Sequence, residues 1–278
     1  LLISGFQETL YPSWKQTFNV DQLIYQEKTD FWEISIFDNA QFGRVVTMDG
    51  IVQLTEADEF IYHEMMSHVA LLTHPDPKSV LIIGGGDGGL LREVLRHKSI
   101  EKIIQVEIDP SMIELSKKYL KNIHQGAFDN PRARIVIEDA SLYVENTDEK
   151  FDVIICDTND PEGPAASLFS EEFYGNCKKC LFSGGILICQ NGVPFMQKEE
   201  LTITKENRSP HFKYVEFFTA PVPTYVGGFM AFGWACDKKY RISLKSLKEK
   251  LNNLEGRMKY YTPEIHKASF ALPQYMLD

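Results

Sequence analysis

No apolar run in the sequence approaches the roughly 18–20 residues of a membrane-spanning helix, so a membrane is not an expected partner. Basic residues are in the minority, 29 Lys and Arg against 39 Asp and Glu, for a net charge of −10. A nucleic-acid backbone needs a basic face, so nucleic acid is not expected either. The acidic field mildly favours a cationic ligand. Cysteine is sparse and odd in number, five in all, with no framework spacing. That argues against a disulfide scaffold and suits a reducing, cytoplasmic setting. Low-complexity tracts and internal repeats are also missing. The opening "LLISGFQETLYPSW" lacks the basic and long apolar regions of a secretory signal. It has no initiating methionine, so the chain is expected to start slightly late. What is present is 44% hydrophobic residues in 278, enough for a large domain with a small companion.

The periodicity changes along the chain. From about Thr17 to Thr55 it is close to two, in "FNVDQLIYQ", "WEISIFD", "GRVVTMDG" and "IVQLT". Turn dipeptides at Asp38-Asn39 and Asp49-Gly50 predict a small antiparallel β unit. Thr55 is expected to cap a helix carrying Phe60, Met65, Val69 and Leu72 at helical spacing. After Pro75, strands at 79–83, 102–107, 134–137, 151–156 and 185–190 alternate with helices. That alternation predicts a parallel, doubly wound sheet. "YVEFFTAPV" and "GFMAFGWACD" read as an antiparallel edge added to it. The expected organisation is a β-rich N-terminal domain over 1–64 and a Rossmann-like α/β catalytic domain over 65–278.

Ligands of open α/β sheets bind outside the carboxyl ends of the strands. Those ends supply Asp87, Glu107, Asp139 and Asp157 in order, with Asp160 close by in "CDTNDPEGPAASLF". One such acid is ordinary, usually a helix cap or a solvated turn; four at one rim are harder to dismiss. The first strand runs into "GGGDGG", which satisfies G-x-G-x-x-G at Gly84, Gly86 and Gly89. Glu107 lies about twenty residues on, where such folds place an acid on ribose hydroxyls. Asp87, however, would repel a pyrophosphate at the helix N-terminus that should attract it. The expected ligand therefore has a ribose, no phosphate and a positive charge near the loop. Adenosyl sulfonium compounds fit, and one lacking the methionine carboxylate but keeping its amine fits Asp87 better than S-adenosylmethionine itself.

Several segments together resemble the spermidine synthases, the polyamine aminopropyltransferase family. They are "GGGDGG", "VEID", "DTNDPEGPAASLF", "QLTEADEFIYHEMMSH", "PTYVGGFMAFGWA" and the tail "YYTPEIHKASFALPQY", in order over nearly the whole chain. The loop after Asp157 and the tail are the specific parts. The resemblance implies decarboxylated S-adenosylmethionine as aminopropyl donor and co-substrate, putrescine as acceptor, and spermidine and methylthioadenosine as products. It also implies a homodimer or homotetramer. Carried over by position, Glu107 holds the ribose, Asp139 and Ala140 flank the adenine, and Pro164 is nearby. Asp87 holds the donor's amine, and Gln53 belongs to the same pocket. Tyr62, His63, Asp157, Asp160 and Tyr225 face the acceptor, with Asp157 as proton acceptor. The stretch "DPEGPAASLF" resembles a gate that closes over both substrates. The implied chemistry needs neither metal nor redox cofactor.

Two positions depart from the family pattern. Trp32 stands where Gln is common in the donor site, with Glu33 after it rather than Asp, and Asn159 replaces a small hydroxyl residue. Strand alternation puts Trp32 with Ile34 and Ile36, which suits packing as well as a donor contact. His63 and His68 with Glu64 do not make H-E-x-x-H, because the second His falls at the wrong helical angle for zinc. His68 is expected to pack the helix or to cap it. Cys177 and Cys180 form C-x-x-C inside a helical pattern without a second pair, which suits packing rather than metal or redox work. The rival readings are an S-adenosylmethionine-dependent methyltransferase, a dinucleotide oxidoreductase and a catalytically silent polyamine-binding homologue.

Overall fold

The computed structural model describes residues 5–161 and 163–277. Strands β1 (Gly5–Gln7) and β2 (Thr17–Asn19) form an antiparallel pair. A meander follows: β3 (Gln22–Lys28), β4 (Glu33–Asn39), β5 (Gly43–Met48) and β6 (Ile51–Thr55), hydrogen-bonded in chain order. Asp49 and Gly50 adopt φ of 50° and 78° between β5 and β6, the left-handed pair a tight hairpin requires. The turn expected at Asp38-Asn39 falls instead at residues 40–42. Both residues remain in β4, opposite Arg44 and Gly43. The Asn39 side-chain oxygen instead accepts from the Gln41 and Phe42 N–H groups at 2.9 and 3.0 Å, closing the turn beyond the strand. "FNVDQLIYQ" also divides, at Val20-Asp21, between the two small sheets.

Helix α1 (Glu59–Thr73) begins four residues after the expected cap. Thr55 is held in the β5–β6 ladder opposite Val45, and its hydroxyl donates to Asp58 at 2.7 Å rather than capping a helix. The boundary expected at residue 64 falls inside α1, which packs on the large sheet and buries Met65, Val69 and Leu72 there.

The large sheet is built from β7 (Ser79–Gly84), α2 (Gly89–Leu95), β8 (Lys102–Glu107), α3 (Pro110–Tyr119) and the single turn α4 (Lys121–His124). There follow β9 (Ala133–Ile137), α5 (Ala140–Asn146), β10 (Phe151–Asp157), α6 (Glu171–Cys180) and β11 (Leu181–Gln190). Helix α7 (Lys198–Arg208) leads to β12 (Tyr214–Pro221) and β13 (Phe229–Cys236), followed by α8 (Leu244–Leu251), α9 (Pro263–Ser269) and a 3₁₀ turn (Gln274–Met276). The order is β12-β13-β11-β10-β7-β8-β9. Strands β11 to β9 are parallel, and β13 and β12 form the expected antiparallel edge. Strand β11 starts at Leu181, four residues before the expectation.

Both faces of this sheet are covered, and each strand shows it by alternation. Val80, Ile82, Val153 and Ile155 enter one cluster with α1 and α2, while Leu81, Ile83, Ile154 and Cys156 enter another with α5 and α6. Each fully buried aliphatic side chain contributes about 1.5–3 kcal/mol. The chain runs from β7 outward to β8 and β9, then returns to place β10 on the other side of β7. The carboxyl ends of β7 and β10 therefore flank the crevice where such sheets bind ligands. Among the described residues, no helix is long and apolar enough to cross a membrane.

Candidate active site

The loop after β7 is shaped by its neighbours in β8 and β10. Gly84 has φ +75°, and a Cβ there would lie 2.0 Å from the Asp157 carbonyl oxygen, so only glycine fits. The buried Gln105 amide, on β8, donates to the carbonyls of Gly84 and Gly85 at 2.9 and 2.7 Å. Asp87 Oδ1 then accepts the N–H of Gly89 at the start of α2, at 2.7 Å. The protein's own carboxylate thus takes the place at a helix start where a phosphate would bind. This is why an aspartate sits in a glycine loop.

Asp87 is paired from behind. His63, on α1, places Nε2 at 3.3 Å from Asp87 Oδ1 and Nδ1 at 2.6 Å from Glu59 Oε2. Burial works against a charged imidazole, but Asp87 and Glu59 outweigh it and push the His63 pKa up to about 10. Burial likewise resists ionisation of Asp87, yet His63 and the Gly89 N–H hold its carboxyl below the usual range. Gly89 makes the approach possible, since a Cβ there would fall 2.2 Å from the imidazole Cε1.

Asp157 ends β10, and its Oδ1 accepts the Tyr62 hydroxyl at 2.6 Å. Among the described residues, no hydrogen bond reaches Asp157 Oδ2. Burial, reinforced by the Asp87 charge and opposed by His63 and Tyr62, raises the Asp157 pKa to about 6. The Tyr62 ring stands edge-on to Tyr225, 6.1 Å between centroids. Tyr225 in turn donates to the Gln53 carbonyl at 2.6 Å. Burial pushes both phenols well up, so both stay protonated donors.

One end of the cleft is lined by Asp160, Gln190, Gln197, Tyr11 and Glu8. Asp160 accepts the side-chain amides of Gln190 at 3.1 Å and Gln197 at 2.8 Å, and Tyr11 donates to Gln197 at 3.1 Å. Glu8 accepts the Val52 N–H and the Gln16 amide, both at 2.9 Å, and burial raises its pKa. Of this group only Asp160 was expected from the sequence. Gln190 carried a usable signal, because it ends β11 at the same rim. Glu8 and Tyr11 carried none, since they arrive from the N-terminal segment through tertiary approach.

The other end holds Glu107, Asp139, Ala140, Trp32 and Gln53. Glu107 is buried and, among the described residues, has no ion pair; burial raises its pKa to about 7 although the Asp109 N–H donates to it at 3.0 Å. Asp139 caps α5 through the Ser141 N–H at 2.7 Å and lines the cleft as well, so capping does not take it out of the cleft. The half-buried Trp32 ring packs with the Ile34 and Ile36 cluster, as strand alternation suggested, and it also lines the cleft. Thr29 fixes its loop, accepting the Trp32 N–H and donating to Asp109 at 2.8 Å. Pro164 lies in the 3₁₀ turn Gly163–Phe169, whose Ala165 and Leu168 line the cleft; its side chain and all of Glu162 lie outside the described residues. Asn159 also lines the cleft, with its amide 3.8 Å from Met48 Sδ.

His63, Asp87 and Asp157 bring ligand atoms within 4.8 Å of one another, a spacing that suits a metal ion. A His63 held protonated between two carboxylates has no lone pair for a metal, so the donor set fits a cationic ligand better. His68 is buried between His97 at 2.9 Å and Glu93 at 3.0 Å, which is packing. Cys177 and Cys180 are free, buried in the core, and pushed up by burial away from the reactive thiolate form.

The chain is similar to known proteins over nearly its whole length. Residues 59–246 match the spermine/spermidine synthase domain, and residues 5–56 match the spermidine synthase tetramerisation domain. Polyamine aminopropyltransferase 1 of Pseudomonas aeruginosa is 48% identical, over 99% of this chain and 97% of its own. The polyamine aminopropyltransferase of Serratia proteamaculans is 50% identical, over 98% of this chain and 95% of its own. A crystal structure of a spermidine synthase bound to the transition-state analogue AdoDATO superposes with a TM-score of 0.92. It is 38% identical and covers 99% of this chain and 94% of that one. Spermidine synthase from Thermotoga maritima gives a TM-score of 0.90 at 38% identity, over 99% of this chain and 93% of that one.

Proposed function

The chain belongs to the spermine/spermidine synthase family, and on that premise we propose that it is a polyamine aminopropyltransferase that moves the aminopropyl group of decarboxylated S-adenosylmethionine to putrescine. The products are spermidine and 5′-methylthioadenosine. The observation that carries this reading is the row of acids along one cleft, with Asp157 between Asp87 and Asp160 and bonded to the Tyr62 hydroxyl. The N-terminal meander matches a tetramerisation domain, which supports a tetramer. The five free cysteines suit a cytoplasmic setting.

In this reading the nucleoside occupies the Glu107 end, where a carboxylate without a cation suits ribose hydroxyls. Asp139, Ala140 and Pro164 bound the base, and Gln53 and Trp32 cover the sulfonium region. Asp87 takes the donor's primary amine and disfavours the carboxylate of intact S-adenosylmethionine. The acceptor lies past Tyr62, His63 and Tyr225, with its far ammonium toward Asp160.

An alkylammonium of pKa about 10.4 is neutral in only about one molecule in 10³ at pH 7, and the charged form has no lone pair. Asp157 takes one proton from the ammonium, which frees the lone pair that bonds to the carbon beside sulfur. The carbon–sulfur bond breaks, its electron pair stays on sulfur as a neutral thioether leaves, and the positive charge passes to the new secondary ammonium. The sulfonium is already an excellent leaving group, so holding the two centres in line supplies much of the rate. No step calls for a metal or redox cofactor.

The test is to incubate the protein with decarboxylated S-adenosylmethionine and a panel of amines and to identify products by mass. Spermidine and methylthioadenosine from putrescine are expected. A methylated product from S-adenosylmethionine, or binding without any product, would contradict the reading.

A further inference from the structure

Behind the reacting groups runs a row of buried charges that reaches beyond the cleft. Arg92, on α2, grips both oxygens of Glu59, at 3.0 and 2.9 Å. Glu59 passes Oε2 to His63 Nδ1 at 2.6 Å, and His63 Nε2 faces Asp87 at 3.3 Å. All four side chains are buried, Arg92 and Asp87 to 11% exposure, Glu59 to 4% and His63 to 3%. Arg92 is itself fixed by Glu93 at 2.8 Å and the Ile123 carbonyl at 2.6 Å. Both Glu59 oxygens are committed to Arg92 or His63, so any effect on the reaction passes through His63.

We infer that Glu59 is a positioning residue for the proposed transfer: seated by Arg92, it holds His63 as a doubly donating imidazolium and so keeps Asp87 ionised beside Asp157. This rests on the transferase reading for its consequence but not for its geometry. A neutral imidazole has one N–H, and between two carboxylates it would turn a lone pair toward one of them. Two protons remove that conflict. The groups facing His63 are Tyr62 and Glu59 from α1, Asp87 from the loop, Arg92 from α2 and Asp157 from β10. Three carboxylates thus outweigh one guanidinium, which agrees with a histidine that stays protonated to about pH 10 despite burial. The signs then alternate from Arg92 to Asp87, and the donor's ammonium continues the series. Without the Glu59 charge, His63 releases its proton more readily. Asp87 and Asp157 are then left as two neighbouring carboxylates that must share a proton, and the base is lost.

The direct experiment is nitrogen NMR of the full-length protein with ring-labelled histidine, using His63→Gln to assign the signal among seven histidines. At about pH 8, where an unperturbed imidazole is neutral, both His63 nitrogens are expected to carry protons. A neutral tautomer would overturn the inference, and this measurement needs no variant at Glu59 to fold. In Glu59→Gln the His63 titration should move down by about two units or more, and kcat at pH 7 should fall about ten-fold or more. Glu59→Asp, which keeps the charge, should recover part of both. An unmoved His63 titration in Glu59→Gln, with only a lower melting temperature, would also overturn it. If the parent protein made no aminopropyl product, the functional reading would fail, while the His63 titration would still decide the positioning role.

Discussion

The two halves of the cleft use the same kind of group in opposite settings. Asp87 and Glu107 both carry buried carboxylates at the rim of one sheet. Asp87 has an imidazolium behind it and a helix N–H in front, and is held ionised. Glu107 has only peptide N–H groups and, among the described residues, no ion pair, and its pKa rises to about 7. The difference teaches that residue type at a strand end does not set the role; the group standing behind it does. One half is prepared for an ammonium, the other for neutral hydroxyl donors. Asp157 lies between, raised to about 6 and so charged at neutral pH while still able to take a proton.

The largest effect should come from the centre of that comparison. Asp157→Asn preserves shape but removes the basic oxygen, so turnover should fall by about 10²–10⁴-fold. Methylthioadenosine affinity, measured by calorimetry, should hardly change. Next comes the cation-ready half. Asp87→Asn should weaken decarboxylated donor by about 10–100-fold, the size of a lost charge-assisted bond. Its preference over S-adenosylmethionine should narrow in competition binding. An unchanged preference would mean that some other group does the selecting.

The hydroxyl-ready half predicts a smaller, differently signed event. Glu107 is about half protonated at pH 7, and hydroxyls donated by a ribose favour its charged form. Methylthioadenosine binding should therefore release up to about half a proton. Calorimetry in buffers of different ionisation enthalpy reads this directly, and Glu107→Gln should abolish it. The smallest effect concerns Trp32, at the Glu107 end of the cleft. Trp32→Gln should lower the melting temperature by loosening the Ile34 and Ile36 cluster. It should also weaken the sulfonium donor relative to methylthioadenosine by about 0.5–1 kcal/mol, the scale of a cation–π contact. A lower melting temperature with an unchanged binding ratio would leave packing as the whole role of Trp32.

Much of this was legible because local chemistry and position agreed. The Val and Ile runs of β7, β8 and β10 could form only buried strands, and the acids ending them fell at the rim that topology reserves for ligands. The antiparallel edge was readable for the same reason. Thr55 misled because it satisfies the capping pattern, yet the ladder to Val45 claims its backbone first. Asn39 misled because its side chain, not its own backbone, makes the turn. Glu8 and Tyr11 were invisible, since their place in the cleft follows from how the first strands fold over it. Glu59 and Arg92 were overlooked for a subtler reason. A helix's first-turn acid and a neighbouring helix's arginine look like ordinary surface chemistry until packing brings them together beneath His63.

The central claim is that the Asp157 carboxylate takes the amine's proton, and the pH dependence of kcat/KM for putrescine at saturating donor tests it most directly. Asp157 must be ionised to act, so activity should be lost as pH falls through its pKa. Cations bound beside it can only lower that value, which places the acid limb of the parent protein at or below about pH 6. In Asp157→Asn that limb should vanish, and the residual rate should follow only the free-amine fraction as pH rises. The same acid limb in both proteins would show that another group accepts the proton.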